Sequence, residues 1–216
     1  MSGCCVDWHL CNRVRRMRRL KSRLFGWVRL VGSLLTDYYS VCVTLTYSPE
    51  QSWCSKDISA FVTRVRKYYN RRGWRFVYFW VAELQQRGAV HYHVILFVPI
   101  GHRLPKPDEC GWWRKGFTHI FAVKSFAAYL SKYLQKGMEG RIRFPRGLRL
   151  FGYGGLDKFE RGMYRCFWLR RSLRERLLEL FGAFIVIRKV GAMVEIQTSD
   201  CRRFVVYVGL SPPLPR

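Results

Sequence analysis

The stretch WVAELQQRGAVHYHVILFVP, residues 80–99, constrains this chain more than any other. Aromatic and branched residues run from Trp74 to Val81 and again through Val94, Ile95, Phe97 and Val98, the composition of two strands. Gln86-Arg87-Gly88 is the natural turn between them. In a strand, residues two apart share a face, so His91 and His93 stand side by side, roughly 7 Å apart at Cα. A three-residue loop, with Gly88 in the left-handed position of a bulge, sets Glu83 opposite His91 on that same face. A two-residue loop at Arg87-Gly88 pairs Leu84 with His91 instead and turns Glu83 away.

Glu83, His91 and His93 together would make a mixed imidazole and carboxylate donor set that suits Mg²⁺ or Mn²⁺. The alternative is a pair of strand histidines satisfied by hydrogen bonds.

A second constellation lies at Tyr129-Leu-Ser-Lys132-Tyr133-Leu-Gln-Lys136. Read as a helix, it gathers Val123, Phe126, Ala127, Leu130 and Leu134 on an apolar arc. Tyr129 and Tyr133 stand together beside that arc, with Lys132 and Lys136 just beyond. A phenol with a pKa near 10 is a poor nucleophile at neutral pH, and an adjacent ammonium lowers the cost of the phenolate. The alternative is a tyrosine and lysine face that lies on solvent or packs on another element.

In this order the motifs resemble those of a replication initiator of the HUH endonuclease superfamily, named for His, a hydrophobic residue and His. Val41-Cys-Val-Thr-Leu-Thr-Tyr47 is similar to the first motif of such proteins, and Glu83 through His93 to the second. Tyr129 to Lys136 is similar to the third, in the two-tyrosine form found in microviral gene A proteins and related initiators of small single-stranded-DNA phages. The resemblance covers roughly residues 38–137. It implies a ferredoxin-like α+β domain, an antiparallel sheet with helices mainly on one face. It further implies a metal-dependent nickase and strand transferase that starts rolling-circle replication. In that role Tyr129 and Tyr133, assisted by Lys132 and Lys136, form 5′-phosphotyrosine links, and Glu83, His91 and His93 hold the Mg²⁺ or Mn²⁺. The partners implied are single-stranded origin DNA or a DNA hairpin, and a host helicase and DNA polymerase, in a bacterial cytoplasm.

Composition agrees with a polyanionic partner. The 216 residues hold 39 Lys and Arg against 14 Asp and Glu, a formal charge of +25, with pI near 10.4. Hydrophobic content of 49% excludes wholesale disorder. Eight cysteines without a CxxC pair fit no familiar zinc or disulfide framework, so reduced thiols are expected. Cys4, Cys5, His9 and Cys11 have no strong ligand spacing.

Three segments are expected: a basic arm over 1–36, a nuclease core over 37–140 and a basic extension over 141–216. The arm holds Arg15, Arg16, Arg18 and Arg19 ahead of an apolar run that Arg29 interrupts, too short to span a bilayer. It either touches phosphates or caps the core with its apolar face. Strands are expected at 38–47 and 117–123, and a helix from a Ser55 cap to about Asn70, bearing Ile58, Phe61, Val62, Val65, Tyr68 and Tyr69. Ser125 should cap the tyrosine helix. In the extension, Arg143 and Arg146 belong to a run set against DNA backbone, as does Arg87 in the hairpin loop. Residues 156–181 read as one helix and 184–208 as a small β unit. Without a GxxxxGK[ST] stretch, unwinding falls to a host enzyme.

Two other classes fit part of the pattern. HUH transposases normally carry one tyrosine, and relaxases usually place theirs ahead of the histidines. A non-catalytic basic nucleic-acid module explains the charge and the aromatics, but not the combination of Glu83, His91, His93 and paired tyrosines.

Overall fold

The computed structural model describes residues 23–85, 88–125, 128–129, 132, 145–190 and 193–207. They fall into two compact units, one built on Val31–Gly155 and the other on Phe25–Leu30 with the residues after 155. No helix among the described residues is long and apolar enough to cross a membrane.

The first unit is a five-stranded antiparallel sheet of β1 (Tyr38–Thr46), β2 (Tyr78–Leu84), β3 (Val90–Pro99), β4 (Thr118–Ala122) and β5 (Phe151–Gly154). The spatial order is β4-β1-β3-β2-β5, and every neighbouring pair is antiparallel. The chain is therefore of α+β type. β1, the helix Asp57–Arg71 and β2 form a split unit with β3 lying between the two strands.

Alternation along the strands sorts the sheet into two faces. On one, Val41, Val43, Leu45, Tyr92, Val94 and Leu96 are buried with Ile58, Phe61, Val62, Val65 and Tyr69 of the helix in a single core cluster. Burying each such side chain is worth about 1.5–3 kcal/mol, which holds the helix on this face. The Tyr69 hydroxyl donates to the Phe97 carbonyl at 2.9 Å, so the deepest polar atom on the helix is satisfied. The helix begins later than the sequence predicts. Lys56 is its N-cap and no side chain caps it. Instead Asp57 accepts the Cys54 amide and the Tyr47 hydroxyl, a local tie that competes with capping at Ser55.

Residues 23–34 are helical, with Leu24, Trp27, Leu30 and Val31 buried at helical spacing. In the second unit the single helix predicted over 156–181 is two, Lys158–Cys166 and Arg171–Phe181. Asp157 and Glu160 close a capping box that starts the first. Arg170, extended at φ −59° and ψ 144°, precedes the second and breaks the periodicity. Leu180, expected on the buried side, is 65% exposed. β6 (Phe184–Val190), β7 (Met193–Thr198) and β8 (Arg203–Tyr207) form a separate antiparallel meander.

Candidate active site

The other face of the five-stranded sheet carries the polar residues. β2 and β3 pair with Glu83 opposite His91 and Leu84 opposite Val90. The parity comes from the turn: the Gln85 amide donates to the Ala89 carbonyl at 2.9 Å, which leaves three residues in the loop. Gly88 closes it at φ +81°, in the region glycine enters without strain. The odd-length loop is therefore the one adopted.

β1 completes the face from the other side. Thr44 pairs with His93 and Thr46 with His91. The Thr44 hydroxyl lies 3.2 Å from His93 Nδ1, and His93 Nε2 lies 2.9 Å from Glu83 Oε2. Both nitrogens of a ring only 4% exposed are thus engaged, which fixes its orientation.

Tyr129 reaches the same imidazole. Residues 128 and 129 are helical, as is Lys132, which is exposed. The Ala128 amide lies 3.4 Å from Ser125 Oγ, and the Tyr129 amide donates to the Ser125 carbonyl at 3.0 Å, the cap the sequence predicts. The Tyr129 hydroxyl lies 3.2 Å from His93 Nδ1. Its ring stands edge-on to His93 and to Phe121, with centroids 5.9 and 5.3 Å away. Phe121 is available because β4 pairs it with Cys42, two residues before Thr44. Burial pushes the Cys42 thiol up to about 12, against the pull of hydrogen bonds to Tyr129 and Thr44, so it is a neutral neighbour of the phenol.

Glu83, His93 and Tyr129 are therefore brought into one hydrogen-bonded line, with His91 on the same face. Among the described residues no three of His, Cys, Asp and Glu are grouped as a metal-binding set. Of the remaining predicted residues, Arg146 is exposed in a turn. Tyr133, Lys136, Arg15, Arg16, Arg18, Arg19, Arg87 and Arg143 lie outside the described residues.

Sequence reading missed Phe121, which packs on the candidate nucleophile, and left Thr44 as a core threonine. The signal was present in β1, whose period of two puts Cys42, Thr44 and Thr46 on the site's face once the sheet order is known. A cleft of about 400 Å³ opens beside the hairpin, lined in part by Trp53, Gly88 and Val90.

No curated protein and no solved structure matches the chain. Residues 40–138 match the family of replication-associated protein ORF2. That segment takes in Thr44, Glu83, His91, His93 and Tyr129, just under half of the chain, and supports a role as a rolling-circle replication initiator.

Proposed function

We propose that this chain nicks and rejoins single-stranded origin DNA, with Tyr129 as nucleophile. The observation that carries the reading is the run from Glu83 Oε2 through the His93 ring to the Tyr129 hydroxyl, at 2.9 and 3.2 Å. A nucleophile within reach of an imidazole that a carboxylate orients is the arrangement nucleophilic catalysis requires.

The Tyr129 oxygen attacks the scissile phosphorus, the bond to the 3′ oxygen breaks, and the 5′ phosphate stays on the tyrosine. The phenol proton leaves to solvent and the 3′ oxygen takes one up, so the step is proton-neutral overall. A phosphotyrosine diester replaces a phosphodiester, which lets a later 3′ hydroxyl reverse the exchange without ATP. With its hydrogen on Nδ1, the His93 ring donates to the phenol oxygen and stabilises the phenolate, while Thr44 holds the ring in plane. Lys132, three residues on and exposed, adds positive charge beside the transferring phosphate. Tyr133, four residues beyond Tyr129, is the second nucleophile, with Lys136 as its partner.

The donor chemistry fits a hard divalent cation, because a carboxylate oxygen and an imidazole nitrogen converge at 2.9 Å beside a second histidine. Glu83, His91 and His93 would hold Mg²⁺ or Mn²⁺, which would polarise the phosphate. A host helicase and DNA polymerase would extend the freed 3′ end, in the cytoplasm of a bacterial host.

The test is cleavage of labelled oligonucleotides with Mn²⁺, followed by denaturing gels and peptide mapping of any protein–DNA adduct. Adduct on Tyr129 or Tyr133 is the expected result. Failure to form an adduct on either tyrosine sinks the reading.

A further inference from the structure

The helix Asp57–Arg71 turns one side to the sheet and the other away from it, on the face opposite Glu83 and His93. Between Asp57 and Glu83 the chain carries six basic residues, Arg64, Arg66, Lys67, Arg71, Arg72 and Arg75, and no acidic one. A solvated helix face normally mixes both signs. This one is uniformly positive, and half-buried rings are interleaved with the charges.

Tyr68 lies at the centre. Its ring packs edge to face on Trp112, with centroids 4.8 Å apart, and on Trp74 at 5.8 Å. The Arg72 guanidinium sits 3.8 Å from the Tyr68 centroid and 5.6 Å from that of Trp74. Arg66 lies over Phe76 at 5.7 Å, and Arg64 donates to the Trp112 carbonyl at 3.0 Å. On the far side of Trp74 the exposed His102 ring lies 5.0 Å away. The acids nearest Trp112 in sequence, Asp108 and Glu109, are both engaged by Lys106.

We infer that this surface is a second binding site for single-stranded nucleic acid, separate from the face that bears Tyr129. Guanidinium groups laid on ring faces are held in place with their N–H edges outward, the geometry that phosphate oxygens accept. Indole and phenol rings offer π-faces to bases of any sequence. Positive charge alone would serve a lipid surface or an acidic protein equally well. Interleaved tryptophan, tyrosine and arginine favour a flexible chain of alternating phosphates and bases. The inference rests on the proposed function only in taking nucleic acid as the partner, and needs no chemistry at Tyr129.

The test is fluorescence anisotropy with a short unstructured oligonucleotide, using the full chain and a triple variant, Lys67→Ala, Arg71→Ala and Arg72→Ala. All three side chains are exposed, so the variant should keep its fold, checked by circular dichroism. Affinity should fall roughly tenfold or more, and the log–log salt slope by about 0.7 for each phosphate no longer neutralised. The wild type should bind an abasic strand of equal length less tightly than the oligonucleotide. Cleavage at saturating strand should keep its rate. Unchanged affinity and slope overturn the inference, as does equal binding of the abasic strand, or loss of binding to anionic vesicles alone. If wild type and variant both fail to cleave while binding changes as stated, the nicking reading falls and this surface stands.

Discussion

The Tyr129 hydroxyl and the Thr44 hydroxyl each lie 3.2 Å from the same nitrogen, Nδ1 of His93. One residue comes from the turn after β4 and the other from the interior strand β1, so the ring is approached from two directions. One Nδ1 hydrogen cannot serve two oxygens well at once. Thr44 can rotate its hydroxyl to donate or accept, whereas the Tyr129 oxygen must be free to attack. Thr44→Val keeps the shape and removes this partner. Cleavage should slow roughly ten- to a hundredfold, the range seen when a group that orients a functional imidazole is removed. DNA affinity should not change, because it is spread over many phosphate contacts. Single-turnover rates at saturating oligonucleotide measure the first effect and anisotropy the second. An equal fall in both would reduce Thr44 to a packing residue.

Replacing the nucleophiles separates one-tyrosine from two-tyrosine chemistry. Tyr129→Phe and Tyr133→Phe should each retain some first-round cleavage but fail over repeated rounds. The double variant should form no covalent adduct. Labelled DNA retained on denatured protein reports this directly. Full multi-round activity in Tyr133→Phe, with adduct on Tyr129 alone, would leave a single nucleophile.

Tyr69 tests the core apart from the chemistry. Its fully buried hydroxyl donates to the Phe97 carbonyl. Tyr69→Phe keeps the ring contacts but leaves that carbonyl unsatisfied, a loss of about 1–3 kcal/mol. Urea denaturation should show it as a lower midpoint with an unchanged slope. Cleavage rate at low temperature should match the wild type.

Asp108 ties the connection after β3 to the start of β4. Its carboxylate accepts the Thr118 hydroxyl at 2.6 Å and the Thr118 amide at 3.2 Å, with Lys106 at 3.4 Å. Burial pushes its carboxyl up, but those donors outweigh it and hold the group below the ordinary carboxylate range. A depressed folded value means the contribution is present above the unfolded pKa, about 3.9, and is lost as pH falls through the folded value. Asp108→Asn should be less stable at neutral pH and should lose less on acidification through that window. Thermal melts from neutral pH down through the carboxylate range check the sign. A parallel loss in both proteins would remove Asp108 from the account.

Where local chemistry fixes a contact, the sequence was readable. Period-two patterning marks β1 and β3, and Gly88 marks the loop that pairs Glu83 with His91. Ser125 announced the turn that brings Tyr129 in. What could not be read depends on lateral order in the sheet. Phe121 reaches Tyr129 only because β4 lies beside β1, and nothing in residues 117–123 states which strand they will join. The break near residue 167 was hidden for another reason. Apolar spacing runs on through Phe167 to Leu177, while the capping box at Asp157 and extended Arg170 decide the helix ends. Arg72 on Tyr68 was likewise invisible, because Arg72 lies just beyond the helix end at Arg71 and its guanidinium bends back over the ring of the preceding turn.

Strand register offers the most direct test of how the site is assembled. The Gln85 amide bonds to the Ala89 carbonyl, so Glu83 faces His91 and Leu84 faces Val90. A two-residue loop would slip this pairing by one and put residue 84 opposite His91 instead. Gly88→Ala meets open space, and its cost is the left-handed backbone alone, about 1–2 kcal/mol. That variant should lose stability and keep its cleavage rate. Glu83→Ala removes the carboxylate that orients His93, and cleavage should fall. Adding Leu84→Glu to Glu83→Ala moves the carboxylate one residue along β2. In the observed register that position packs against the core cluster of the helix Asp57–Arg71, on the face away from His93. A carboxylate there carries a desolvation penalty and cannot reach the imidazole. The double variant should therefore be less stable than Glu83→Ala and no more active. Urea denaturation and single-turnover cleavage on the three proteins decide it. Restored cleavage in the double variant would show that Leu84, not Glu83, holds the position opposite His91.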